Sequence, residues 1–234
     1  MNKIKKIYCI EFIGLWGSGK TTIINKIYKD LKLLNYKIVK FSDFYKYSKT
    51  LRLLLIIKFI LFNPIFILKW FFLNGKFYFK LKPKNNLDYE IFITLIKNQL
   101  IRNILLKELN PDFLLWEGTF HLLPIFKEMN KINSSDIIDY NKSNMINVNT
   151  CIVFLDIDPN KSKNRILNDN KRSFKRFNSD QLKLLNKNLN IMNTNQYYLL
   201  KKIKKKIKYL ISINTNKNKN SNINKIKNFL LKID

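Results

Sequence analysis

Glycine, histidine, cysteine and acid are all scarce in this chain. Its 234 residues include five glycines, two cysteines, one histidine and 16 acidic residues, against 44 lysines and arginines. Two cysteines (Cys9, Cys151) and one histidine (His121) exclude a zinc site of the usual four-ligand spacing. Both cysteines lie in apolar, strand-like runs, which points to buried free thiols in a reducing compartment rather than a disulfide framework. No internal repeat or Pro/Gly/Ser-rich linker interrupts the sequence, so one domain over residues 1–234 is expected. The shortage of acid leaves a formal net charge of +28. That favours anionic partners. No helix-turn-helix, zinc-finger or aromatic RNA-binding signature accompanies it, however, and no specific nucleic-acid partner is expected. Lys3, Lys5 and Lys6 precede an apolar run, but the run leads straight into a glycine loop rather than a cleavage site. A cytoplasmic location is expected, with a peripheral position on the inner face of a membrane as the alternative.

Where glycine does occur, it clusters. Gly14, Gly17 and Gly19 fall within Gly14-Leu15-Trp16-Gly17-Ser18-Gly19-Lys20-Thr21-Thr22, the G-x-x-x-x-G-K-[ST] pattern of a phosphate-binding loop. Such a loop needs positive φ and close backbone approach so that its N–H groups converge on phosphate oxygens. Residues 7–13 before it read as a buried strand. After it, Ile23, Ile24, Ile27, Leu31 and Leu34 have helical spacing. Strand, loop and helix together form an anion site at a helix N-terminus. Lys20 is placed to reach the β- and γ-phosphates of ATP, and the Thr21 hydroxyl to ligate Mg²⁺.

Strand and helix patterns then alternate, which predicts an α/β fold with a five-stranded parallel sheet flanked by helices. Further strands are expected at 36–41, 113–116, 151–157 and 209–213. Helices are expected at 51–73, 89–109, through the basic stretch 161–206, and at 223–233 after an Asn/Lys-rich loop. Ligands bind beyond the carboxyl ends of such strands, which singles out Asp43, Glu117, Asp156 and Asp158. Phosphoryl transfer needs acids there to hold a metal and to orient or deprotonate an acceptor hydroxyl.

With the P-loop, Phe154-Leu155-Asp156-Ile157-Asp158-Pro159 and Tyr209-Leu210-Ile211-Ser212-Ile213-Asn214 in this order, the chain resembles the P-loop nucleoside and nucleotide monophosphate kinases, nearest to thymidylate kinase. The resemblance implies a P-loop NTPase fold, ATP and Mg²⁺ as cofactors, a small-molecule acceptor and an arginine-bearing lid over 160–180. Three of only five arginines, Arg165, Arg172 and Arg176, fall in that lid. Their spacing lets one helical face present all three, and arginine offers phosphate a planar bidentate fork that lysine lacks. An interruption at Asn168-Asp169-Asn170 is the alternative. The acceptor half departs from the family. An Asp-Arg pair is replaced by Glu117-Gly118, and an Arg-Glu-Pro-Gly-Gly type loop by Ser42-Asp43-Phe44-Tyr45. Asp43 either substitutes for the missing acid or caps the next helix. Glu117 remains able to hold a metal-bound water or act as base. The expected catalytic residues are Lys20, Glu117, Arg165, Arg172 and Arg176, with Asp43 and His121 at the acceptor. Trp16 reads as a packing residue, and Asn214-Thr215-Asn216 occupies the place where the related kinases hold adenine.

Residues 51–73 are unusually apolar. They are about long enough to span a bilayer, yet roughly eighteen apolar residues barely offset Lys58, Lys69, Asn63 and Pro64. Spanning would also separate motifs that must share one sheet. Pro64 is expected to kink or split the helix, and Lys58 and Lys69 to project from nearly the same face. Three readings stand for this insertion (51–82): core or lid helices, a membrane-surface element, or a partner or homodimer surface. The favoured activity is a small-molecule kinase. The alternative is a P-loop ATPase associated with a membrane or nucleic acid.

Overall fold

A computed structural model describes residues 6–83, 86–126, 132–133, 135–137, 148–168, 179–216 and 218–233. Five strands, β1 (Tyr8–Gly14), β2 (Ile38–Lys40), β3 (Phe113–Trp116), β4 (Asn149–Asp156) and β5 (Tyr209–Asn214), form one sheet in the order β2-β3-β1-β4-β5. Every pair is parallel. The helices are α1 (Lys20–Leu33), α2 (Lys49–Leu61), α3 (Pro64–Leu81), α4 (Asn86–Leu109), α5 (Thr119–Leu122), α6 (Pro159–Leu167), α7 (Ser179–Ile203) and α8 (Lys219–Ile233). Short 3-10 turns cover Phe41–Lys46 and Leu123–Ile125.

Parallel strands covered on both faces read as continuous apolar runs, and every residue of β1 is buried. Its side chains alternate. Tyr8, Ile10 and Phe12 pack with Ile23, Ile27 and Leu31 of α1 and Ile226 and Leu230 of α8. Cys9 faces the other way, into α4, and Ile13 packs there with α4 and α7. Glu11 shares that second face, so the period of two sends one carboxylate into the core beneath α4.

The differences from the expected elements have local causes. β2 is short because the chain turns at Phe41 into a 3-10 turn, whose capping acceptor is the Asp43 carboxylate. The segment 51–73 is two helices, bent by 97° at Asn63-Pro64. Pro64 opens α3, where its missing N–H costs nothing. Buried Asn63 holds the corner through Lys107 Nζ, which donates to its Oδ1 at 2.7 Å. The break resets the helical phase, so Lys58 and Lys69 do not share a face. Lys58 pairs with Glu108 of α4 at 3.1 Å, and Lys69 is exposed. Helix α8 begins at Lys219 rather than 223, because Asn218 Oδ1 accepts from the N–H groups of Asn220 and Ser221 at 2.9 and 3.4 Å. A residue read as loop-former acts as the N-cap. Helix α6 stops at Leu167 with Asn168 beyond it in a turn. Residues 169–178, with Arg172 and Arg176 and the middle of the expected lid, lie outside the described residues.

Candidate active site

β1 delivers the chain at Gly14, and α1 takes it up at Lys20. Gly17 and Gly19 sit at φ 78° and 86°, the left-handed region where a Cβ is strained. Gly14 is needed for another reason. A Cβ there would lie 2.8 Å from both the Leu155 carbonyl oxygen and Ser18 Oγ. Helix α6 buttresses the loop from outside, with Ser162 Oγ donating to the Trp16 carbonyl. Gly19 is the N-cap of α1 and offers no side-chain acceptor, so no capping side chain occupies the first-turn amides. They remain available to an anion. Lys20 Nζ donates to the Gly14 and Leu15 carbonyls, both at 2.9 Å, and only 6% of the residue is exposed. A loop of these donors fits a nucleotide's phosphates.

The end of β3 meets this loop. Glu117 Oε2 lies 3.9 Å from Lys20 Nζ and 3.8 Å from His121 Nε2. Thr21 and Glu117 line one cavity of about 240 Å³ with Asn25, Lys40, Ser42 and Trp116. The expected Mg²⁺ donors thus share an open space at the loop. Magnesium needs no more protein than this, since it is commonly held by one or two side-chain oxygens plus substrate phosphates. No cluster of three His, Cys, Asp or Glu side chains exists among the described residues. His121 is buried, and burial together with the Lys20 cation holds its pKa well below the ordinary value, so the imidazole is neutral at pH 7.

Asp43 is engaged elsewhere. Its Oδ2 accepts from Lys40 N–H at 2.8 Å, and its Oδ1 lies 2.7 Å from Lys46 Nζ. Of the two roles open to it in the sequence, the capping one is the one the structure displays. Asp158 likewise caps α6, accepting from Asn160 and Lys161 N–H at 2.8 and 3.2 Å. Asp156 accepts from the Tyr197 hydroxyl at 2.7 Å.

On the opposite side of the loop, Arg165 reaches the Gly17 and Thr215 carbonyls at 3.4 and 3.3 Å. Arg165, Thr215, Asn222, Lys219, Ser18 and Thr22 line a second cavity of about 210 Å³. Thr215 is fixed by two bonds to the Asp156 carbonyl, from its own N–H at 2.8 Å and its Oγ1 at 2.9 Å. The turn after β5 therefore stands beside the phosphate loop.

The sequence reading missed a buried pair beneath the site. Glu11 is fully buried, and its Oε1 accepts from the backbone N–H groups of Phe120 and His121, the latter at 3.1 Å. Burial pushes its pKa up to about 8, partly opposed by the Arg102 guanidinium and by backbone donors at His121, Phe120 and Gly118. Arg102, also buried, lies 4.7 Å over the Trp116 ring. Glu11 ties β1 to the turn that carries Glu117 and His121. Two signals pointed to the pair: a lone acid within an apolar strand run, and an arginine in mid-helix where this chain otherwise uses lysine.

Residues 1–54 match the KAP family P-loop domain model. No curated protein matches the sequence. Among solved structures, deoxyadenosine kinase from M. mycoides with products dCMP and a flexible dCDP bound is similar over 97% of this chain and 100% of that chain, at 18% identity and a TM-score of 0.52. Deoxyadenosine kinase from M. mycoides with bound dATP is similar over 95% and 98%, at 18% identity and a TM-score of 0.52. These likenesses, with the sheet order and the glycine loop, establish an α/β P-loop NTPase fold.

Proposed function

We propose that this chain is an ATP-dependent phosphotransferase that moves the γ-phosphoryl group of ATP to the hydroxyl of a nucleoside or nucleotide. The observation that carries this reading is the approach of Glu117 to Lys20, an acid at the rim of the phosphate loop with an open cavity beside it. A carboxylate there can hold a metal-bound water or take the proton of an acceptor hydroxyl that enters the cavity. Similarity to a deoxyadenosine kinase over nearly the whole of both chains supports a nucleoside-type acceptor. The Glu117-Gly118 and Ser42-Asp43 departures argue against thymidylate itself.

In this reading the loop amides and Lys20 hold the phosphates, and Arg165 closes over them from α6, joined from the lid by Arg172 and Arg176. Thr21 and Glu117 would hold Mg²⁺, which when bound would neutralise charge on the phosphates. Glu117 also orients the acceptor hydroxyl or takes its proton. With His121 neutral, Lys20 is the cation that faces Glu117.

ADP release from Mg-ATP, measured across nucleosides, deoxynucleosides and nucleoside monophosphates, tests the reading. One acceptor should raise turnover well above the basal rate. Glu117→Gln should lower that rate about 10²–10⁴-fold, and Lys20→Ala should abolish it. Equal basal turnover with every acceptor, lost in Lys20→Ala, would overturn the kinase reading in favour of a P-loop ATPase.

A further inference from the structure

Thirteen of the 21 exposed large apolar side chains among the described residues fall between positions 51 and 79. They are concentrated on the outer face of α2 and α3 rather than scattered, which marks a docking surface rather than ordinary surface composition. Exposure is highest at the corner and along α3. Leu61, Phe62 and Ile65 are 70–73% exposed, and Phe71, Phe72 and Phe79 are 71–74% exposed. The inner faces are used, with Phe59, Phe77 and Leu81 buried. The outer face is therefore surplus to what folds the chain.

Its charge selects the occupant. Each helix carries three basic residues, and neither carries an acid. Lys58, Lys76 and Lys80 are paired with Glu108 and Asp136. Lys49, Lys69 and Lys82 are exposed and have no acidic partner among the described residues. A symmetric dimer through this face would set the same acid-free surface against itself. A layer of phosphate headgroups over hydrocarbon supplies the missing anions and accepts the aromatic side chains. No single helix here is long and apolar enough to cross a membrane, and the bend of 97° breaks the pair. The geometry suits a segment lying in the interface, not one passing through it.

We propose that the outer face of α2 and α3, centred on Phe71 and Phe72, docks on an anionic phospholipid bilayer, with Lys49, Lys69 and Lys82 at the headgroups. This is independent of which acceptor the site takes. The test is flotation of the full chain with vesicles of phosphatidylglycerol and, separately, phosphatidylcholine. The protein should rise with the anionic vesicles and stay below the neutral ones. Phe71→Ser and Phe72→Ser should each weaken binding about tenfold or more, and Lys69→Glu should weaken it as well. Because these side chains are exposed, thermal melting of the variants should match that of the parent. Absence of flotation, equal flotation on both lipids, or a parent dimer that Phe72→Ser converts to monomer would each overturn the proposal.

Discussion

Gly118 lies against the indole of Trp116 so closely that a Cβ on Gly118 would come within 2.3 Å of ring carbons Cη2 and Cζ2. The ring is fully buried, with Arg102 over it at 4.7 Å. Trp116 therefore dictates glycine at the position where the resembling kinases carry an arginine. Gly118→Ala should cost about 1–3 kcal/mol of stability through overpacking, and should lower turnover by displacing Glu117 next to it. Trp116→Leu makes room, so the double variant should be more stable than the sum of the two single costs predicts. Urea denaturation of the four proteins checks this. Strictly additive costs would show that the contact is not what holds the turn.

Glu11 makes stability depend on pH in an unusual direction. Its folded pKa of about 8 lies above the ordinary 4.5, so the folded state binds this proton more tightly than the unfolded chain does. The stabilisation is complete below pH 4.5 and is lost as pH rises through 8. Across that window the wild type should lose up to about 1.4 kcal/mol per pH unit from this group. Glu11→Gln keeps a neutral amide at the site and should not show the loss. The comparison is the difference between the two urea midpoints from pH 5 to 9. A constant difference would mean that Glu11 is ionised throughout and stabilised by Arg102.

Arg165 touches the glycine loop and the turn after β5 at once. Arg165→Ala should raise the KM for ATP about tenfold or more, since each contact involves a charged donor. Arg165→Lys should recover little, because one ammonium does not span two carbonyls as a guanidinium fork does. Steady-state ADP release with varied ATP gives the answer. Full recovery in the lysine variant would reduce the role of Arg165 to bulk charge.

What could be read from the sequence was local. The glycine loop, the strand at 113–116 and the split at Pro64 each follow from residues within a few positions of one another. Asn218 was hidden by composition, since an N-cap looks like any other asparagine in a stretch rich in them. Glu11 was hidden by distance. Its partners Phe120 and His121 are more than a hundred residues away in the chain, and no periodicity connects them. The bond from Lys40 N–H to Asp43 depends on the backbone path through the 3-10 turn, which the residue types alone did not show.

The sheet order also governs the sequence of events in folding. The neighbours of β1 are β3 and β4, at residues 113–116 and 149–155. The first strand therefore finds its first partner only about a hundred residues later in the chain, and its second later again. Ser162, which steadies the loop at Trp16, comes later still. The glycine loop thus takes its shape from contacts made far later in the chain, and an anion site at the start of α1 is complete only once the β4–α6 corner is in place.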